Sequence, residues 1–554
     1  MTKMFFNLLD EPWIIVTNMQ GKEEILSLTD TLTRSHELKS LSGEMPTQDI
    51  AILRLLLGVL YAIYTRTGEY EEAQDEGSQD MCVEIWRKMW ESGHFPQGDI
   101  EGYLKTYHDR FWLIHPERPF YQVAEIKKGS DFAAAKMIGE LVEGGNKLQL
   151  FPMRSGESKR FLNYPEATRW LLYLNSFDDA AAKPSIKGAG LGIMSVGWLG
   201  VLDLVHLSGE SLFETLMFNL SLLNEGEPWS SGKATWELEN ARTSERTAVP
   251  MPESAAELYT LQSRRIHLKW QNDKLIGFTL LGGDQFSKDE AFVEPMTQWR
   301  KRKGEKGQSD KFVPPSNEAR DPAKQMWRDF APLFMSSHKS SDSYRRPGIL
   351  NWISALENEN IISSKQIQIC TMSIKYGNMQ SGIEDVWSDS LSVNASLLST
   401  MNALWITRIV NMVGLTENLV KALGSFAINI AKSAGASDSK SYSTISTEAR
   451  EHAYSSLDIP FRKWIASINP KTDDEDETCN AWAIIAKSIV LGHGENIVTQ
   501  ASEQAFVGRT IVENKKEIYY SAPKAYGWFK SKVYKELAEK TTIMGVIKDV
   551  KENA

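Results

Sequence analysis

The sequence predicts an α+β protein, with a large mixed α/β N-terminal domain over residues 1–392 followed by a C-terminal four-helix bundle over residues 393–554. Three observations carry that expectation. Up to about residue 390, short β-like runs and helical segments follow one another without the regular strand–helix alternation of a parallel α/β fold. From about Asn394 onward, apolar residues recur at helical spacings of three and four. The segments between those helical stretches are rich in Ser, Gly and Lys or in acidic residues, as solvent-facing connectors are.

In the N-terminal part, Trp13 to Val16 and Leu275 to Leu280 read as strands, and Ile50 to Tyr64 and Ala167 to Asn175 read as helices. In the C-terminal part, Trp405, Ile409, Met412, Leu415, Leu419, Leu423, Phe426 and Ile430 fall on one face of a long helix. Ala453, Leu457, Phe461, Trp464 and Ile468 mark a second, with a bend expected at Pro460. Trp482, Ile485 and Ile489 mark a third, and Tyr526 to Leu537 a fourth. Ser433 to Ser446 and Asp473 to Glu477 read as the connectors. Four helices with polar connections imply a bundle.

The chain has 554 residues, 42% of them hydrophobic, enough for a large core. Its three cysteines, Cys82, Cys370 and Cys479, form no CxxC pair, which disfavours a disulfide framework and a cysteine zinc site. The apolar run Ile50 to Tyr64 is interrupted by Arg54 and falls short of the roughly 20 residues that span a bilayer, so it reads as a buried helix. No export signal is recognisable, and a cytoplasmic protein without a membrane partner is expected. The net charge of −10 argues against a free-standing DNA-binding protein, because phosphate neutralisation needs positive charge. A local basic cluster can still meet phosphates while the acidic remainder faces solvent or protein.

One enzyme-like pair stands out. His108-Asp109 is the pair used by HD-type metal phosphohydrolases, but a two-metal site needs further His and Asp ligands, and the nine histidines show no HxH, HxxxH or HxxEH spacing. No phosphate-binding loop is present. No catalytic residue, metal ligand or cofactor is therefore expected; a metal-dependent phosphohydrolase or nuclease is the rival reading, and a purely architectural subunit is a second.

Candidate contact segments are few. Arg300-Lys301-Arg302-Lys303, within a stretch to Lys311 holding six basic and two acidic residues, reads as an exposed loop that is either a solvated charge run or a phosphate contact. Lys288, alone, is an ordinary surface lysine. Asn378-Met379-Gln380-Ser381, flanked by Gly377 and Gly382, is either a plain β-turn or a turn that presents amides to base edges or pushes an uncharged side chain into a base stack. Pro184-Ser185-Ile186-Lys187-Gly188 has the small residues that allow close approach of backbone to a partner.

Three further segments carry a family resemblance. Asn7-Leu8-Leu9-Asp10-Glu11-Pro12-Trp13-Ile14-Ile15-Val16 resembles the N-terminal signature of the CasA family, N-L-L followed by a short polar stretch and W-I-x-V. Phe111 to Gln122 is similar to that family's aromatic-L-x-H-x-x-x-P-F-x-Q segment, and Thr447 to Tyr454, which keeps the Glu and the aromatic residue six positions on, resembles its E-x-A-x-x-x-F/Y helix with Arg450 in place of the Ala. They occur in the family's order. The resemblance implies a mixed α/β domain with a C-terminal four-helix bundle, and a non-catalytic large subunit of the type I-E CRISPR surveillance complex Cascade, an antiviral ribonucleoprotein. Its implied partners are other Cascade subunits with crRNA, double-stranded target DNA and a helicase-nuclease effector. Its implied work is to recognise the PAM, start strand opening and help recruit that effector, while the guide reads sequence.

By position, Lys288 matches the family lysine that reaches PAM base edges from the minor groove. Asn378, Met379, Gln380 and Ser381 match the hairpin whose glutamine, here Gln380, wedges into the duplex. Pro184 to Gly188 matches the glycine loop laid along the PAM, although glycines here fall mainly at Gly188, Gly190 and Gly192. Gln149, Leu150, Phe151 and Met153 fall in the loop that docks toward the crRNA 5′ end and a neighbouring subunit.

Overall fold

The computed structural model describes residues 4–138, 141–142, 147–148, 154, 156–180, 195–243, 247–304, 309–315, 324–335, 343–363, 365–513 and 515–543. The chain forms two compact units: the described residues of Met1–Arg320, Ser336–Ile361 and Ile367–Ser390, and those of Asp321–Met335, Ile362–Gln366 and Leu391–Ala554.

The first unit is built on helix Pro46–Tyr64, whose side chains are almost all buried. By length and composition this 19-residue helix could cross a membrane, yet 89% of its apolar stretch is buried inside the fold. Arg54, the charge that interrupts the run, explains itself by geometry. Its guanidinium meets both Glu294 carboxylate oxygens at 2.8 and 2.9 Å and lies 3.6 Å from the centre of the Tyr259 ring. Trp198 Nε1 donates to the same carboxylate at 2.8 Å, so the charge pair is buried with its hydrogen bonds made. Helix Tyr164–Phe177 begins with a full capping box between Asn163 and Glu166, a local reason for starting there.

Around these helices lie small sheets rather than one large one, antiparallel except for the short parallel pair Thr247–Ala248 with Asp284–Gln285. Ile14–Asn18 is flanked by Glu23–Leu26 and Leu38–Leu41. Lys274–Gly282 pairs with Arg264–Gln271 and Ser130–Ala133. Gln366–Tyr376 lies between Leu204–Ser208 and Ile383–Asn394.

In the second unit, Ala403–Ala434, Ser439–Ser467, Glu475–Thr499 and Ala522–Ile543 are the four long helices. Their shared core is aromatic. Phe461 meets Trp482 edge-on at 5.0 Å, Trp464 stacks on Trp482 at 5.4 Å, and Phe426 stacks on Phe529 at 4.9 Å. Trp482 Nε1 donates to Thr416 Oγ1 at 3.0 Å, which satisfies the one polar atom of the ring in that core.

Several expectations are corrected. The Ser433–Ser446 connector shrinks to residues 435–438, since Ser433 is a buried helical residue and Ser439 opens the next helix. The acidic stretch Asp473 to Glu477 is mostly a helix start: Asp474 accepts from the backbone N–H groups of Asp476 and Glu477, where the helix dipole favours negative charge. The third helix packs through Cys479, Trp482, Ala486, Val490 and Gly494 instead of Ile485 and Ile489, because small residues let Phe529 close on the Gly494 backbone. Ile485 is 38% exposed. An antiparallel hairpin, Arg509–Glu513 with Lys516–Tyr520, was not expected at all.

Candidate nucleic-acid interface

Asn378 to Ser381 form the tip of a hairpin between Gln366–Tyr376 and Ile383–Asn394. Gly377 N–H donates to the Gly382 carbonyl at 3.0 Å, closing the base of the turn, and Gln380 N–H donates back to the Gly377 carbonyl at 2.9 Å. Met379 and Gln380 both hold left-handed backbone, φ 56° and 57°, a conformation that costs an ordinary residue roughly 1–2 kcal/mol. The result is that Met379 stands out from the turn with 84% of its surface exposed, beside an exposed Gln380.

The tip is held from outside. Asp179 Oδ2 accepts the Gly382 N–H at 3.1 Å and pairs with Lys136 Nζ at 3.1 Å. Ala180 N–H donates to the Gln380 carbonyl at 2.9 Å. Tyr376 Oη donates to the Phe177 carbonyl at 2.7 Å. The 177–180 segment is in turn pinned by Arg264, which pairs with Asp178 at 2.5 Å and donates to the carbonyls of Asp178 and Asp179 at 2.9 and 3.0 Å. Burial among these charges and Tyr173 drives the Tyr376 phenol well above its ordinary pKa, so it stays a neutral donor. None of these supports was visible in the sequence; each joins residues that lie far apart along the chain.

The basic segment is not the exposed loop expected. Trp299–Arg302 is a strand, paired with Lys311–Val313 and with Tyr344–Arg345. Arg300 and Lys301 are half-buried there, and Lys301 Nζ lies 5.6 Å from the Phe312 ring centre; only Arg302 and Lys303 are exposed. The strand forms because its partners bury Trp299 and Val313 while the long basic stems lie along the surface. Lys288 is exposed on the segment stitched to this sheet: Glu290 N–H donates to the Phe312 carbonyl at 2.8 Å, and Asp289 pairs with Lys311 at 3.2 Å and Arg302 at 3.5 Å. Lys288, Arg302 and Lys303 are thus brought onto one small sheet and its flank. The hairpin tip rests on its own, separate contacts. Pro184 to Gly188 and Gln149, Leu150, Phe151 and Met153 lie outside the described residues.

His108 is occupied structurally. Its Nε2 lies 2.8 Å from Asp10 Oδ2 and its carbonyl accepts from Asn7 Nδ2 at 3.1 Å, while the Asp109 side chain is 89% exposed. His115 Nδ1 accepts the backbone N–H groups of Glu117 and Arg118 at 3.1 and 2.9 Å. Among the described residues no group of three or more His, Cys, Asp or Glu side chains is placed to hold a metal ion. Asn7, Trp13 and Gln122 likewise make internal bonds: Trp13 Nε1 to the Leu8 carbonyl at 3.0 Å, and Gln122 Nε2 to the Leu113 carbonyl at 2.8 Å. The two N-terminal segments that carry the resemblance are therefore fold-building.

One unit of small sheets around buried helices, bearing a braced hairpin tip, and a second unit of four long helices define a two-unit α+β protein. The chain belongs to the family described as CRISPR-associated protein Cse1, whose profile matches residues 7–492. It is 32% identical over 215 residues to the CRISPR-associated protein CasA/Cse1 of Thermus thermophilus, a match that spans 39% of this chain and 39% of that relative. Its fold is similar to the crystal structure of Thermobifida fusca Cse1, with a TM-score of 0.81 and 27% identity over 97% of this chain and 98% of that one. It also resembles in fold a chain of a CRISPR RNA-guided surveillance complex, with a TM-score of 0.67 and 17% identity over 96% of this chain and 99% of that one.

Proposed function

We propose that this chain is the large, non-catalytic subunit of a crRNA-guided, Cascade-type DNA surveillance complex in the cytoplasm, where it reads the PAM of a duplex, starts strand separation beside it and helps recruit a helicase-nuclease. The observation that carries the reading is the hairpin tip. An exposed, uncharged Met379–Gln380 pair in a strained turn, braced by Asp179, Ala180 and Tyr376, has the form of a rigid wedge. Apolar and amide side chains inserted between base steps unstack them at a cost of about a few kcal/mol per step, offset by backbone contacts and by the guide heteroduplex that grows from the opened end.

Lys288 supplies a donor without acceptor capacity, suited to the minor-groove acceptors, and Arg302 and Lys303 supply phosphate contacts. Readout in that groove separates mainly A·T from G·C, so several related PAMs are accepted. Pro184 to Gly188 would lie along the PAM, and Gln149, Leu150, Phe151 and Met153 would meet the crRNA end and a neighbouring subunit. The test is a binding assay of the assembled complex, with and without this chain, against a duplex library randomised at the PAM. PAM-dependent enrichment only with the chain present is the expected result; equal enrichment without it overturns the reading.

A further inference from the structure

The face of the sheet formed by Leu204–Ser208, Gln366–Tyr376 and Ile383–Asn394 carries polar side chains where a core-packed face would carry apolar ones. The antiparallel register sets Ser208 opposite Gln368 and His206 opposite Cys370, and Gln368 Nε2 continues the first row to Ser390 Oγ at 2.9 Å. Side chains alternate across a strand, so these residues share one face, while Val205, Leu207, Ile367 and Ile369 fill the core behind it. The first turns of helices Pro46–Tyr64 and Leu212–Asn219 wall this face in, leaving a cleft of about 430 Å³. That volume is in the range of small-molecule sites.

The chemistry of the walls selects the ligand. Asp49 and Asp389 both line the cleft, and among the described residues no Lys or Arg does. Asp49 Oδ1 is already engaged by the Gly43 N–H at 2.7 Å; the cation that acts on it, Arg169, is turned to the Trp13 carbonyl and Glu44. His206 adds no positive charge: its buried Nδ1 has no partner, and burial pushes its pKa down to about 4. Leu53, Leu212 and Met372 supply apolar surface between the polar rows.

We propose that this cleft binds a small aliphatic diamine, with one ammonium on Asp49, the other toward Asp389 and the serine hydroxyls, and the methylene chain over Leu53, Leu212 and Met372.

Calorimetric titration of the purified full chain with 1,4-diaminobutane at low salt should show saturable one-to-one binding, and 1,4-butanediol, the uncharged analogue, should show none. Asp49→Asn keeps an acceptor for the Gly43 N–H and removes the charge; it and Asp389→Asn should each weaken binding about tenfold or more. Leu212→Trp, which fills the cleft, should abolish binding while leaving the circular dichroism spectrum unchanged. Affinity should fall as pH drops through about 6, where Asp49 takes up a proton. Absence of saturable diamine binding, equal binding of the diol, or full affinity in both Asn variants would each overturn the assignment.

Discussion

Ala180 donates its backbone N–H to the carbonyl of Gln380 at 2.9 Å, and its neighbour Asp179 holds the Gly382 N–H on the other side of the same turn. The tip is therefore a fixed projection of the first unit, shaped by a segment 203 residues away in sequence. Removing the Asp179 carboxylate leaves a buried backbone donor and the Lys136 ammonium without their acceptor. Asp179→Ala should lower the stability of the free chain by about 1–3 kcal/mol in urea denaturation, with Asp179→Asn losing less. Wild-type stability in the alanine variant would mean that the carboxylate does not hold the turn.

Met379 separates folding from function. Its left-handed backbone is strained for a side chain and free for glycine, so Met379→Gly should raise the midpoint of thermal unfolding, equivalent to a gain on the order of 1 kcal/mol. The same change removes the exposed apolar group and should slow strand opening beside the PAM. Gln380→Ala should also slow opening while leaving PAM encounter intact. Permanganate reactivity of thymines next to the PAM reads both effects, and the defects should shrink on negatively supercoiled DNA, where opening costs less. Wild-type reactivity in both variants would leave the tip without a wedge role.

How much of this was legible depended on range. Helix Pro46–Tyr64 and the Trp405-to-Ile430 face could be read because helical periodicity is local. The turn at Asn378 to Ser381 was readable from its flanking glycines, but its braces were not, since Asp179 and Arg264 look like any surface charges until the chain folds. Arg300 to Lys303 misled for a related reason: a run of charges reads as loop unless one sees that Trp299 and Val313 bury its strand. Ile485 misled in the opposite sense. Hydrophobicity pointed to the isoleucine, while the packed face was chosen by small residues that allow close approach of another helix.

The basic strand sharpens an electrostatic expectation. Arg302 and Lys303 are its exposed charges, so neutralising those two should reduce the slope of log affinity against log salt by about 0.9 for each phosphate the protein no longer neutralises, similarly for every PAM. Arg300→Gln and Lys301→Gln, at half-buried positions, should change the slope less. An unchanged slope in the Arg302/Lys303 double variant would make the strand a solvated charge run.

Asp49 gives a pH-dependent signature of its own. Burial raises its pKa from 3.8 to about 6 despite the Gly43 N–H and the nearby Arg169. The folded state therefore holds the proton more tightly than the unfolded chain, so this group's contribution to stability is fully present below about pH 4 and is lost as pH rises through 6. Asp49→Asn should be more stable than the wild type above pH 6, with the difference vanishing near pH 4. Parallel stability curves across that window would show that Asp49 titrates as an exposed carboxylate.

Lys288 and Arg302 lie on the same small sheet and its flank, joined through Asp289, yet the proposed roles differ: one reads base edges and the other phosphate. A base-edge contact carries about 1–3 kcal/mol of discrimination, and a phosphate contact carries none. Lys288→Ala should therefore compress the affinity gap between favoured and disfavoured PAMs, with pairing along the guide unaffected. Arg302→Ala should instead lower affinity for all of them by one factor. Competition binding of the two variants against a panel of PAM duplexes distinguishes these outcomes directly. A uniform loss in Lys288→Ala would make Lys288 a second phosphate anchor and move base reading to Asn378 or to the segment from Pro184 to Gly188.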